Sequence, residues 1–462
     1  MTGDLRVAAV QLEPVVGDVE ANLDRAERLA RRAADEGAEV IVLPEFFTTG
    51  MAFLAQVGGG ALPEDGAATE MITRVASDKR VMVGGSFLCR GSDGDVRNAF
   101  LLAGPDGLIG RHDKDLPTMW ENYFYAGGDD PGVIEAPGGL RIGVALCWEL
   151  MRAQTVHRLR GRVDLVLAGS GWWSIPQWRP RAVLRRWEAA NRERARRSVL
   201  DFAALVGAPV VHASLCGPIT CPLPGMPGRY RGEYEGPSVI CDRDGEVLAE
   251  RPAQSGPGVT AATVPTGAAN PSRDPAPGFW LRPRGPLPAF AWAYQGWLGR
   301  RAYRQWLGSP PAGNGPADDS EVERMTRART NETLVLSGLV ELAAGAVTGW
   351  PYALAIADAE RARRIGIRST PRLRQWHLDL IALGALSLLV GAAVPELPRR
   401  VAWPLAAGCW TNANAFGLLA FRPEAAETPA YRIAVAASFT TVSWGFVSLA
   451  ALALRRRWRM DR

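Results

Sequence analysis

Arg141-Ile142-Gly143-Val144-Ala145-Leu146-Cys147-Trp148-Glu149-Leu150 reads as an apolar strand that ends on a thiol. Two charged residues hold the same kind of position upstream. Glu45 follows the apolar run 40–43 in Leu43-Pro44-Glu45-Phe46-Phe47, and Lys114 stands in His112-Asp113-Lys114-Asp115-Leu116-Pro117. A carboxylate, an ammonium and a thiol, each at the exit of a strand, are the parts that thiol attack on a C–N bond requires. Glu45 can take the thiol proton, Cys147 can attack carbon, and Lys114 can stabilise the negative charge of the adduct. The turn after the strand exposes the sulfur and offers the backbone N–H of Trp148 as an oxyanion donor. A helix expected to begin at Glu149 favours the thiolate.

Outward from these exits, short apolar runs alternate with helical patterns across 5–264. Strands are expected over 5–12, 40–43, 81–87, 99–103, 141–146, 165–168, 209–213 and 238–241. Amphipathic helices are expected over 22–36, where Gly37 stops the pattern, over 68–78 and over 181–207. Asp242-Arg243-Asp244-Gly245 is a turn with glycine at its left-handed position, and it leads into a hairpin strand over 246–250. Strands mixed with helices over this length predict an α/β domain of two sheets covered by helices.

The 462 residues exceed what one core usually organises, and the mean hydropathy of −0.05 averages two unlike halves. The net charge of +5 comes from arginine clusters at 179–197, 361–374 and 455–459. The last two flank apolar runs, where basic residues meet lipid headgroups, and no aromatic-interleaved basic motif points to nucleic acid. The six cysteines fit no disulfide framework, and Cys216 and Cys221 have neither zinc-knuckle spacing nor a histidine at ligand spacing. Free thiols imply a reducing compartment. The N-terminus lacks a basic segment followed by an apolar one and reads directly as the first strand.

Beyond 270 the composition turns to Pro, Gly and Trp. Over 289–307, Trp292, Tyr294, Trp297, Tyr303 and Trp306 stand beside Arg300, Arg301 and Arg304, which suits either an interfacial helix or one packed on the preceding domain. Ser309-Pro310-Pro311-Ala312-Gly313-Asn314-Gly315-Pro316 is a linker. Four apolar runs follow, over 334–357, 378–394, 401–421 and 433–454, each near the ~20 residues that cross a bilayer core. The expected organisation is a domain over 1–270, a connecting segment over 271–330 and a four-helix transmembrane bundle over 331–462. Glu341, His377, Asp379, Asn412 and Asn414 are the costly polar residues of that bundle, read either as inter-helix hydrogen-bonding groups or as functional ones. Both termini are placed in the cytoplasm, against a partly conflicting arginine-rich loop over 358–376.

Glu45, Lys114 and Cys147 with their flanking residues resemble the nitrilase (carbon–nitrogen hydrolase) superfamily over about 5–264. The run from Asp113 through Glu121-Asn122-Tyr123-Phe124-Tyr125-Ala126-Gly127-Gly128 resembles the family's lysine segment, and Asp164-Leu165-Val166-Leu167-Ala168-Gly169-Ser170-Gly171-Trp172 its strand and turn after the nucleophile. The resemblance implies an αββα sandwich, the triad Glu45, Lys114 and Cys147, and Glu121 as the second glutamate that positions substrate and lysine. It implies no cofactor in this domain, a small amide-type substrate, and hydrolysis of an amide or carbamoyl amide through a cysteine-linked acyl intermediate. A homo-oligomer is the expected assembly. Cys147-Trp148-Glu149 resembles the nitrile-hydrolysing branch, but Leu150-Met151-Arg152 lacks that branch's Asn and Pro, so nitrile hydrolysis stays an alternative. Acyl transfer to an amine is another. The apolipoprotein N-acyltransferases also join such a domain to membrane helices, although there the helices come first.

The bundle resembles the four-span hydroxylaminobenzene mutase and styrene-oxide isomerase group at three motifs. These are Gly349-Trp350-Pro351, His377-Leu378-Asp379 and Thr411-Asn412-Ala413-Asn414. That group carries a haem-ligating histidine at the start of its second span, which implies haem b on His377. Leu383 stands where the group has Asn and Asn412 where it has Tyr, so the bundle is read alternatively as an anchor.

Overall fold

In the computed structural model, strand β1 (Asp4–Leu12) shows why the first half folds as it does. Its alternate residues bury on opposite faces: Val7 and Ala9 join one apolar cluster, Ala8, Val10 and Leu12 another. The structure describes residues 3–177, 181–223, 229–268, 271, 274–282, 286–307, 331–394 and 397–460. The linker read over 309–316 lies outside the described residues. The chain divides into two units, Met1–Thr326 and Arg327–Arg462.

In the first unit, β1 is followed by β2 (Val40–Val42), β3 (Leu62–Pro63), β4 (Met82–Arg90), β5 (Val96–Gly104) and β6 (Gly107–Asp113). Then come β7 (Val133–Ala136), β8 (Leu140–Leu146), β9 (Leu165–Ser170), β10 (Val210–Leu215), β11 (Gly217–Pro222) and β12 (Arg229–Tyr234), with β13 (Ser238–Cys241), β14 (Val247–Arg251) and β15 (Gly258–Pro265) last. The strand order is β6-β5-β4-β2-β1-β10-β9-β8-β7, with β15 antiparallel to β1, β13 paired to β10 and β14, and β3 to β4; β11 and β12 form a separate hairpin.

The expectation of two sheets needs correction. Apart from the β11–β12 hairpin, the strands form one hydrogen-bonded sheet, because β1 and β10 pair in parallel through Gln11–Ser214 and Leu12–Leu215. That seam is narrow, so the sheet folds over on itself, and its end strands β6 and β7 touch. The interior of the fold is built from strands alone, with Val40, Phe100, Val144, Leu167, Val211 and Ile240 among its buried residues. Burial of each such side chain contributes roughly 1.5–3 kcal/mol, which favours closure over an open sheet.

Helices cover both outer faces. Helix α1 (Val19–Asp35), capped by Asp18 accepting from the Ala21 N–H at 3.0 Å, lays Ala26, Ala30 and Ala33 on one face beside α2 (Ala67–Lys79). On the other face lie α3 (Ala153–Leu159) and α4 (Arg181–Val206), through Val156, Leu159, Val199 and Phe202. The expected helix at Glu149 is instead a 3-10 turn over Cys147–Met151, followed by α3. Helix α5 (Pro286–Leu307) buries Tyr303, whose hydroxyl accepts the Val96 N–H at 2.7 Å. It packs on the preceding domain.

The second unit consists of α6 (Glu332–Ala357), α7 (Thr370–Ala393), α8 (Arg399–Phe421) and α9 (Pro429–Met460), with a short helix between α6 and α7. Among the described residues three stretches, Thr333–Ala357, Thr370–Ala392 and Pro429–Leu452, are long and apolar enough to cross a membrane. The expectation of four spans is corrected at α8, where Thr411, Asn412 and Asn414 dilute an otherwise apolar run. That helix contacts the other three and buries Leu405, Ala406, Cys409 and Ala413. The other three leave Val347, Trp350, Ile433 and Trp444 exposed, as lipid-facing residues would be.

Candidate active site

Three strand exits converge. β2 delivers Glu45, β6 delivers Lys114, and β8 delivers Cys147. Lys114 Nζ donates to Glu45 Oε1 at 2.8 Å and to Glu121 Oε2 at 2.9 Å, and all three side chains are buried. Glu121 sits on a 3-10 turn over Met119–Tyr123, where Oε2 also accepts the Thr118 N–H at 2.9 Å and the Tyr125 hydroxyl. Glu45 is held from two further sides, by Asn98 Nδ2 at 2.9 Å on Oε1 and by the Gly171 N–H at 3.1 Å on Oε2. Cys147 is buried with φ of 49°, a left-handed conformation that turns the strand sharply at the nucleophile.

The electrostatics follow from a dry site holding one ammonium between two carboxylates. Burial opposes the Lys114 charge, but Glu121 and Glu45 override it and hold the ammonium well above its ordinary range. Burial pushes Glu45 up to about 7 against the pull of Lys114. Burial, with Glu45 beside it, also pushes the Cys147 thiol well up, while Lys114 and the Trp148 N–H favour the thiolate. The resting pair is therefore a thiol and a carboxylate poised to accept its proton.

The carbon–nitrogen hydrolase family model matches residues 6–273, more than half of the chain. The chain belongs to the carbon–nitrogen hydrolase family. Over 253 residues it is 32% identical to an omega-amidase, YafV, of Yersinia enterocolitica, covering 53% of this chain and 84% of that protein. Over 191 residues it is 31% identical to a nitrilase of Pyrococcus abyssi, covering 39% of this chain and 69% of that one. An aliphatic nitrilase of Sinorhizobium fredii is 31% identical over 164 residues, and the chain spans 53% of its length. Among solved structures it is similar to a superfamily protein of Xanthomonas campestris, with a TM-score of 0.45, 23% identity, and coverage of 56% of this chain and 90% of that one. The protein is a carbon–nitrogen hydrolase of the nitrilase/amidase type.

This hydrolase carries a second buried network that its sequence did not announce. Glu149, two residues past the nucleophile, accepts the Leu146 N–H at 2.8 Å, the Asp115 N–H at 3.2 Å and Arg152 Nη2 at 3.3 Å. His112 bridges it to Asp130, with Nε2 at 3.1 Å from Glu149 and Nδ1 at 2.6 Å from Asp130. Burial opposes a charged imidazole, but the Glu149 and Asp130 carboxylates raise His112 to about 10. The network ties the lysine loop to the nucleophile turn. Its only sequence signal is charge, His112-Asp113-Lys114-Asp115 and Glu149, beside apolar strands. Asn98 had none, and Gly171 and Tyr125 stood only as flanking residues of the two family-like segments.

The polar residues of the second unit occupy separate contacts. Glu341 is buried, with Oε1 accepting from Ser337 at 3.2 Å, and Ser337 accepts Trp410 Nε1 at 3.0 Å. His377 Nδ1 lies 2.8 Å from the Gly345 carbonyl and 3.3 Å from Thr348 Oγ1. Asn414 takes Trp376 Nε1 at 3.1 Å, while Asp379 and Asn412 are half-buried. The structure does not bring these five residues together.

Proposed function

We propose that the protein hydrolyses a non-peptide C–N bond, that of an amide or carbamoyl amide, through a thioester on Cys147. The observation that carries this reading is Lys114 Nζ held at 2.8 and 2.9 Å between Glu45 and Glu121, beside a thiol at a left-handed strand exit. Glu45 takes the Sγ proton as sulfur attacks the carbonyl carbon, and Lys114 with the Trp148 N–H receives the oxyanion. Collapse breaks the C–N bond, and the protonated Glu45 gives its proton to the departing amine. Water, deprotonated by Glu45, then cleaves the thioester to acid and free thiol. Glu121 keeps Lys114 charged and aimed. Amide rather than nitrile is favoured because the match to the omega-amidase spans 84% of that relative.

The test is ammonia release from a panel of amides, ureido compounds and nitriles. Cys147→Ala should release none while keeping its fold, and turnover in that variant would refute the mechanism. Cys89, Cys216, Cys221, Cys241 and Cys409 changed singly to Ala should each retain activity.

The second unit is proposed as a membrane anchor, with the hydrolase unit in the cytoplasm and the whole as a homo-oligomer. Haem b on His377 is the second proposal for this unit. An imidazole that gives its Nδ1 proton to the Gly345 carbonyl keeps Nε2 as a ligand atom, so His377 is the residue that would hold the iron. Bound there, haem would supply iron redox or Lewis-acid chemistry. A Soret band in detergent-purified protein that His377→Ala removes supports haem; its absence under haem-replete expression leaves the anchor alone.

A further inference from the structure

The family match ends at residue 273, yet the chain beyond it returns to the nucleophile. The Leu281 N–H donates to the Met151 carbonyl at 2.9 Å, the Ala153 N–H to the Phe279 carbonyl at 3.1 Å, and Trp280 forms an antiparallel bridge with Arg152. Trp280 is thereby fixed beside the apolar cluster of Cys147, Met151 and Trp172. Helix α5 brings Trp292 to the same place, stacked on Trp148 with centroids 5.3 Å apart and planes at 16°. Trp280 meets both rings edge-on, at 5.5 and 5.1 Å. Trp172, at 6.2 Å from Trp148, extends the group toward the loop whose Gly171 N–H holds Glu45.

Farther along α5, Arg300 Nη1 donates to Asn122 at 3.3 Å, next to Glu121, and Tyr303 is locked to β5. Trp173 lies 4.6 Å from Trp120 with the rings tilted by 44°, and it stacks with Tyr230 at 4.4 Å. Consecutive residues, Trp172 and Trp173, thus serve two aromatic groups. Arg152, the cation nearest to Cys147 in sequence, turns its Nη2 to Asp115 and Glu149.

We propose that Trp280 and Trp292 are specificity residues selecting amides whose acyl group is aromatic. Indoles held at offset-stacking and edge-to-face distances favour a further planar ring, which an aliphatic acyl group of few carbons cannot replace. This inference rests on the thiol-hydrolase reading and names its substrate class. It also gives the segment after the family domain a part in binding.

The test compares kcat/KM for phenylacetamide and propionamide in the full-length protein. Wild type should favour phenylacetamide by about tenfold or more, and that ratio should fall about tenfold in Trp280→Ala and in Trp292→Ala, as expected for loss of an apolar wall. Trp280→Phe should restore most of it. A wild type without preference, or variants with an unchanged ratio, would overturn the proposal. If the wild type cleaves neither amide, the hydrolase reading is left to the wider panel above and a second measurement decides the wall. Phenylacetaldehyde and propanal each add the Cys147 thiol reversibly, sulfur bonding to the aldehyde carbon and the proton passing to oxygen. Phenylacetaldehyde should protect Cys147 from iodoacetamide at about tenfold lower concentration than propanal, an advantage that Trp280→Ala removes. Equal protection by the two aldehydes overturns the proposal.

Discussion

Among the described residues, four non-glycine residues have positive φ, and three of them adjoin the chemistry. Phe46 follows Glu45, Met119 stands two residues before Glu121, and Cys147 is the nucleophile; Arg80 closes a helix. Such conformations cost roughly 1–3 kcal/mol each and persist where surrounding contacts over-determine them. Here those contacts are the hydrogen bonds on Glu45, Lys114 and Glu121. Glu45 acts as a base only when ionised, and burial pushes it up to about 7. The rate should therefore fall with acidity below about pH 7 and level off above it, with the carboxylate present only on the alkaline side. A pH profile of kcat/KM checks this. Glu45→Gln should lower kcat by about 10²-fold or more and abolish the acid limb. Lys114→Ala should lose as much through the unstabilised oxyanion. Glu121→Gln should raise KM as well as lower kcat, since it relaxes the lysine; wild-type behaviour would make Glu121 a bystander.

At the scale of elements, what holds the strand exits in register decides the site. A Cβ at Gly169, on β9, would lie 2.7 Å from the Glu45 backbone nitrogen. Gly169→Ala should displace the base and reduce kcat with little change in helix content by circular dichroism. The His112–Glu149 tie makes a different claim, about stability. Its folded pKa, raised from 6.5 to about 10, means that the charged form is favoured on folding. That contribution is full below pH 6.5 and is lost as pH rises through about 10. The wild-type melting temperature should decline across that window. His112→Gln should flatten the decline and cost roughly 3–5 kcal/mol at neutral pH, the penalty for breaking one side of a buried pair.

Sequence patterns made the strand exits legible, because Glu45 and Cys147 each close a run of apolar residues, while Lys114, inside the charged stretch His112-Asp113-Lys114-Asp115, stood out only as part of the set. They could not reveal Asn98, Gly171 or Tyr125, whose partners are set by folding and whose residue types are ordinary in strands and turns. The single sheet was equally hidden, since its seam is two residue pairs between β1 and β10. The α8 span failed for a local reason that was already visible, two asparagines in one apolar run.

For the whole molecule, the decisive question is which parts of the chain the chemistry needs. The buried trio comes from the first 150 residues, and the family match closes at 273, so a domain ending there has every group named in the mechanism. The segment beyond it is nonetheless pinned at Met151 and Ala153, and α5 is pinned at Asn122 and Val96. A chain ended after residue 307 keeps those ties and sheds α6 to α9, with their exposed apolar side chains. It should remain in the supernatant after ultracentrifugation without detergent and hydrolyse with the kcat of the full chain. A chain ended after residue 273 should lose about tenfold or more in kcat/KM, because Glu121 rests on a turn braced by α5 and Trp148 loses its stacking partner. Residues 327–462 made alone should sediment with membranes. Equal activity in the two truncations would confine α5 to a packing role, and a soluble second unit would remove the anchor.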